Sequence, residues 1–220
     1  SSYFSINFNI LSKFDGRLSM KTKSLILFLA LTFLFSLSIS FVAFADDFQE
    51  GLDAYKRKDY KTGLDKLMPL AEKGNAEAQY FVANIYQAQW PKYESERNKW
   101  FKLSAKNGFP KAQSRLAELY FFEFLVSKNP KFISETIKWH GKAAEQGDSN
   151  SQYELGKLYS RGKHVLQDFD EAKNLYLKAA MQGHKEAQFE IGNMYSLGNG
   201  VSRDLNKARK WFLKSVENGS

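Results

Sequence analysis

The sequence has no cysteine and only four prolines in 220 residues. Without cysteine there is no disulfide framework, no thiolate metal site and no cysteine nucleophile. That lack leaves export open, because a chain of this length can bury a core without covalent staples. Scarce proline and plentiful Ala, Leu, Lys and Glu favour helices. The three histidines, His140, His164 and His184, sit in different segments. They form no His-Glu-x-x-His or His-x-x-Glu-His pattern, so no zinc site is expected and each reads as exposed or singly bonded. Gly-x-Ser-x-Gly is missing, as is any phosphate-cradling loop. The acidic pairs Asp46-Asp47 and Asp170-Glu171 stand at a processing site and in a helix first turn, where the helix dipole explains the second pair. No catalytic residue, cofactor or metal is expected.

Neither sign of charge dominates any one stretch. The formal net charge is +8, of which Lys13, Arg17, Lys21 and Lys23 against Asp15 supply part. What remains is spread thinly, whereas nucleic-acid binding calls for a clustered basic patch. Nucleic acid is therefore not an expected partner.

One long apolar run is present. Met20 is followed by the basic Lys21-Thr-Lys23, and no charged residue occurs from Ser24 to Ala45. Ala43-Phe44-Ala45 places small residues where a signal peptidase reads, and Asp46-Asp47 follow at once. This is the pattern of a secretory signal peptide over 20–45, cleaved after Ala45. The competing reading is a retained anchor, since 22 uncharged residues would form a helix of about 33 Å, enough to span a bilayer. Residues 1–19 precede a good start methionine, show no periodicity and are read as an upstream extension without a structural role.

The rest repeats itself. A small residue and Gln, with Tyr seven positions after the Gln, recur as Ala78-Gln79…Tyr86, Ala112-Gln113…Tyr120, Ser151-Gln152…Tyr159 and Ala187-Gln188…Tyr195. A closing segment, Trp100…Gly108, recurs as Trp139…Gly147, Leu175…Gly183 and Trp211…Gly219. The closing glycines at 74, 108, 147, 183 and 219 are spaced 34, 39, 36 and 36 apart. Each unit reads as two helices. In helix A, Gln188, Ile191, Gly192 and Tyr195 share a face; in helix B, Ala172, Leu175, Tyr176 and Ala179 do. The small residue at Ala83, Ala117, Gly156 and Gly192 lets a second helix come close. The closing glycine suits a positive-φ C-cap, Asp168 with Glu171 a capping box, and Pro110 a helix first turn. The units are 46–74 (a degenerate first hairpin), 75–108, 109–147, 148–183 and 184–219. The fold class is all-α: a right-handed α-solenoid, an α-α superhelix of two-helix repeats, stable only as a stack.

These linked motifs resemble the Sel-1-like repeat, a relative of the tetratricopeptide repeat. The last unit is clearest, with Gly198-Asn-Gly200-Val201-Ser-Arg-Asp204 and then Lys207-Ala208-Arg-Lys-Trp211. The unit at 109–147 departs most: it is three residues longer and carries Phe121-Phe-Glu-Phe-Leu-Val126, read as the core of an elongated helix in preference to an exposed partner patch. The resemblance implies an exported, periplasmic or secreted scaffold that binds proteins. Alternatives are a secreted host-interaction factor, a membrane-anchored regulator and an envelope enzyme such as a β-lactam or cell-wall hydrolase. The family's β-lactam branch relies on regular cysteine pairs, and this chain has none.

The same resemblance puts helix A on the concave surface. Its variable pairs there, Phe81 and Asn84, Arg115 and Glu118, Glu154 and Lys157, Glu190 and Asn193, are the candidate partner-binding residues. Members of each pair are three apart and share a face. The tryptophans Trp100, Trp139 and Trp211 read as packing residues, and Trp90 as exposed. The last helix ends the stack with Trp211 and Phe212. Those rings either fold back or leave an end open to self-association.

Overall fold

A computed structural model describes residues 28–29, 45–89 and 91–219. The leader at 20–45 and Trp90 lie outside the described residues, apart from 28, 29 and 45. Chain contacts divide the protein into two units, 1–49 and 50–220. In the first, the described residues 28–29 and 45–49 are helical. No helix among the described residues is long and apolar enough to cross a membrane.

The second unit is helical throughout. It begins with α1 (residues 50–56) and α2 (Tyr60–Glu72). Then come α3 (Ala76–Ala88) and α4 (Glu94–Lys106). The longest helices are α5 (Pro110–Ser127) and α6 (Pro130–Glu145). They are followed by α7 (Ser149–Arg161), α8 (Phe169–Met181), α9 (Lys185–Leu197) and α10 (Leu205–Glu217). From α2 onward each helix packs against the next, which makes a two-helix solenoid. Odd helices are helix A of their hairpins and even helices are helix B.

Short polar side chains start these helices. Asn75, Asp148 and Asp204 each accept from the backbone N–H three residues on, at 2.8–2.9 Å. Such a cap supplies an acceptor to a donor the helix itself cannot satisfy, worth about 1 kcal/mol each. Phe109 has no side-chain cap, but Pro110 at the first position removes one unsatisfied donor. At Asp168 only half of the expected capping box forms. Its carboxylate accepts from Asp170 N and Glu171 N, while its own N–H donates to Tyr159 O.

Helix B ends as its glycine predicts. Gly74, Gly108, Gly147 and Gly183 have φ of 85–93°, which no β-carbon tolerates comfortably. The residue after each then donates back to Leu70, Ser104, Ala143 or Ala179. That bond turns the chain into the next helix A. Gly219 does not share the positive φ of the other four.

A hydrogen-bond ladder explains the recurring glutamine. In every repeat the Gln Nε2 enters the preceding helix B and donates to a carbonyl eight residues back: Gln79 to Ala71, Gln113 to Ala105, Gln152 to Ala144, Gln188 to Ala180. Its Oε1 accepts from the amide before the next closing glycine: Asn107, Gln146, Gln182 or Asn218. One buried side chain thereby joins three consecutive helices. All four glutamines are 3–4% exposed, so their own polar atoms are held away from water, where leaving one unpaired is costly.

The apolar stripes fill the spaces between helices. Ala172, Leu175, Tyr176 and Ala179 are all buried, and Ile191 and Met194 pack against them. Small residues set how closely helices approach. A β-carbon on Gly156 would lie 2.7 Å from Tyr176, and one on Gly192 2.5 Å from Phe212. Trp100 and Trp139 are buried as packing residues, and Trp211 is half-buried against the α8–α9 core.

Candidate functional site

The long unit is where the stack departs from its own pattern. Helices α3, α7 and α9 each have 13 residues, whereas α5 has 18. The loop after it is correspondingly short: Lys128 takes the left-handed conformation at φ 57° and Asn129 already caps α6. In the two later hairpins seven residues, 162–168 and 198–204, make the same connection. The extra turn of α5 therefore projects beyond the packed part of the repeat.

This overturns the reading of Phe121–Val126 as core. Phe122, Leu125 and Val126 are 64%, 46% and 68% exposed, and only Phe121 and Phe124 are half-covered. The physical reason is geometric. The helix A neighbours α3 and α7 have 13 residues, so the last turn of α5 extends past them, and its apolar residues outside the contact with α6 stay uncovered.

Beneath this overhang lies a cavity of about 480 Å³ between α5, α6, α7 and the loop after α7. Phe121, Leu125 and Leu158 give it apolar walls, His140 reaches it from α6, and Arg161 and Lys163 stand at it from the α7 end. His164, in the same loop, sets its ring edge-on to Phe124 at 4.8 Å. Three of the sequence-predicted residues, Glu118, Glu154 and Lys157, also line it. Asn150 on α7 donates to Glu118 on α5 at 3.3 Å and ties the two helix A faces together.

Three of the four predicted pairs satisfy themselves. Arg115 pairs with Glu118, Lys157 with Glu154 at 2.7 Å, and Asn193 donates to Glu190 at 3.2 Å. Spacing of three on a helix brings such side chains together. In the first pair, Asn84 donates to Tyr80 O while Phe81 packs against the Tyr55 and Tyr80 rings, each at 5.4 Å. Phe81, Asn84, Glu190 and Asn193 lie away from the cavity.

His140 was missed as a site residue. It stands where the other repeats have Phe101, Tyr176 and Phe212, so aligning the repeats reveals a polar ring in an aromatic position. It is 3% exposed, and its Nδ1 lies 3.0 Å from Ser151 Oγ on the next repeat. Burial lowers its pKa from 6.5 to about 4, against the opposing pull of Glu154 and Asp148. Burial likewise lowers the pKa of His184, which caps α9 and stacks on Tyr153 at 4.8 Å.

The folded state thus holds His140 neutral. Below pH 6.5 the unfolded chain takes up a proton that the folded chain refuses until about pH 4. Stability from this group is complete above pH 6.5 and falls as pH drops through that window, by up to about 3 kcal/mol. Urea unfolding of wild type and His140→Phe across this window should show a steeper acid loss in the wild type. Parallel curves would refute the assignment.

The outer face of α10 is apolar too. On α10, Leu205, Leu213 and Val216 are 59%, 52% and 67% exposed, while Phe212 folds back over Gly192 and Phe189. Ala105 and Ala180, at the position of Val216 in earlier repeats, are buried, and their carbonyls accept from the next helix A.

The architecture defines a helical repeat scaffold of stacked hairpins. The Sel1 repeat model matches three successive segments, 110–148, 149–184 and 185–220. A Sel1 repeat protein from Oxalobacter formigenes is 32% identical with a TM-score of 0.70, over 79% of this chain and 70% of that one. The c5321 protein, described as a protective antigen present in uropathogenic Escherichia coli strains, displays this fold at 29% identity and TM-score 0.69. The match covers 84% of this chain but 42% of the antigen. No curated protein matches the chain. The chain belongs to the Sel1 repeat family. Proteins of this family are in general non-catalytic scaffolds that mediate protein–protein interactions.

Proposed function

We propose that this protein is an exported adaptor that holds a polypeptide partner along the concave helix A side of its stack, with the overhang of α5 as the principal contact. The observation that carries this reading is the row Phe122, Leu125 and Val126, left exposed on a helix that outgrows its repeat. Apolar side chains grouped on one projecting turn mark interaction surfaces more often than idle ones. The cavity beside them adds charged groups that orient what binds. Export rests on the Met20–Ala45 pattern, and the mature chain would begin at Asp46.

A tagged pull-down from envelope and culture fluid, with the intact mass of the recovered protein, tests both parts. The expected result is a mass starting at Asp46 and a stoichiometric protein partner that Phe122→Asp/Leu125→Asp fails to retain. An uncleaved form confined to membranes would support a membrane-anchored regulator instead. A cleaved form whose partner is retained equally by the double variant would move the contact elsewhere on the stack.

A further inference from the structure

The cavity under α5 has a donor set that selects its occupant. We infer that it binds a bulky apolar side chain of the partner together with the carboxylate of an adjacent acidic side chain. This rests on the reading of the protein as a polypeptide-binding adaptor.

The first observation is the state of His140. Ser151 Oγ is fully buried and has no other acceptor among the described residues, so its proton points to His140 Nδ1. The imidazole then carries its own proton on Nε2. Among the described side chains only Ser114 Oγ is sealed from solvent without a hydrogen bond. Among the described residues Nε2 has no hydrogen-bond partner, and His140 lines the cavity, which places this N–H toward it. The residue is 3% exposed, so a buried ring presents one N–H without a protein partner to a cavity whose walls mix Phe121, Leu125 and Leu158 with charged side chains. A ligand that displaces water from this N–H has to supply an acceptor in its place.

Charge points the same way. Of the ionised groups at the cavity, Lys157 is held by Glu154 and Glu118 by Arg115 and Asn150. Among the described residues no carboxylate pairs with Arg161 or Lys163. Two free cations and a neutral N–H donor surround walls of Phe121, Leu125 and Leu158. At about 480 Å³ the space holds one large side chain and its neighbouring carboxylate, within the usual range for ligand pockets. A purely apolar ligand would leave His140 Nε2–H unmatched, and a basic one would meet Arg161 and Lys163.

The test uses the whole mature chain and a fluorescein-labelled peptide, Gly-Ser-Gly-Leu-Phe-Glu, with an amidated C-terminus, followed by fluorescence polarisation. Saturable binding that weakens as salt is raised is expected. The matched peptide with Gln for Glu and the same amidated end should bind about tenfold more weakly or worse. Arg161→Glu/Lys163→Glu and Leu125→Asp, all at exposed positions, should each lower affinity by a similar factor. Lys210→Glu on α10 should change nothing. In nitrogen-15 NMR spectra the His140 Nε2–H signal should shift on titration. Equal binding of the neutral peptide, or no saturable binding, would overturn the inference. So would displacement by phenylacetate at concentrations that already saturate the site without any peptide, which would make it a small-carboxylate site. If the native partner is still retained by Arg161→Glu/Lys163→Glu but lost from Phe122→Asp/Leu125→Asp, the adaptor reading stands and only this assignment falls.

Discussion

Tyr176→Ala is expected to lower the unfolding free energy by about 3–5 kcal/mol, the range for emptying a large buried aromatic site. The ring is 1% exposed, it covers Gly156, and its hydroxyl lies 3.0 Å from Ser160 Oγ. Burial without a charged partner also pushes its ionisation up, in keeping with a ring locked inside the stack. Gly156→Ala attacks the same contact from the other side, because its new methyl would meet the ring at 2.7 Å. The two changes should not add. Gly156→Ala combined with Tyr176→Leu should recover part of the loss of Gly156→Ala alone, since the smaller side chain yields the space. Urea unfolding followed by circular dichroism measures all three. Because most contacts run between neighbouring helices, loss at α7–α8 should also separate the unfolding of the two ends into distinct steps. A loss under about 1 kcal/mol for Tyr176→Ala would mean that the site collapses freely and that the glycine–ring contact does not hold the repeat.

The second large effect lies in the ladder. Gln152→Leu keeps the size of the side chain but leaves the Ala144 carbonyl and the Gln182 amide without their partner. Stranding a buried polar group costs about 1–3 kcal/mol, and one of the two has access to solvent, so a loss of about 2–4 kcal/mol is expected. Gln182→Leu is the control. Its side chain is exposed and its removal strands only Gln152 Oε1, so about 1 kcal/mol is expected. Thermal melts and chemical unfolding of the pair distinguish them. Equal losses for both variants would show that the Gln152 bond to the Ala144 carbonyl adds nothing to the joint between α6 and α7.

How much of this was legible follows from distance along the chain. Helix boundaries are local. Asp148, Asp168 and Asp204 announce a start, and the closing glycines announce an end, because capping engages residues within one turn. The apolar stripes are local as well, so Leu175, Tyr176 and Ala179 could be placed on a buried face before any fold was known. The glutamine ladder was visible as a repeated letter, but its meaning was not. The Nε2 bonds reach back eight residues, but the Oε1 bonds connect residues 28–33 positions apart, between helices whose pairing no short window encodes.

The site divides along the same line. Helical spacing puts Glu154 and Lys157 on one face of helix A, and Glu118 on the matching face of the preceding unit; all three line the cavity. His140, Arg161 and Lys163 were not legible in this way, since they come from a helix B, the last residue of a helix A and the loop after it, which meet around one cavity only in the stack. Phe121–Val126 was misassigned to the core because an apolar run carries no record of what faces it. The sequence by itself determined the repeat, its helices, their caps and which stripe turns inward, since those depend on neighbours within a turn or two. The tertiary structure alone decided that α5 overshoots its partners, that its last turn stays bare and that a neutral histidine opens beneath it. Exposure is a property of what lies opposite, and what lies opposite here is tens of residues away.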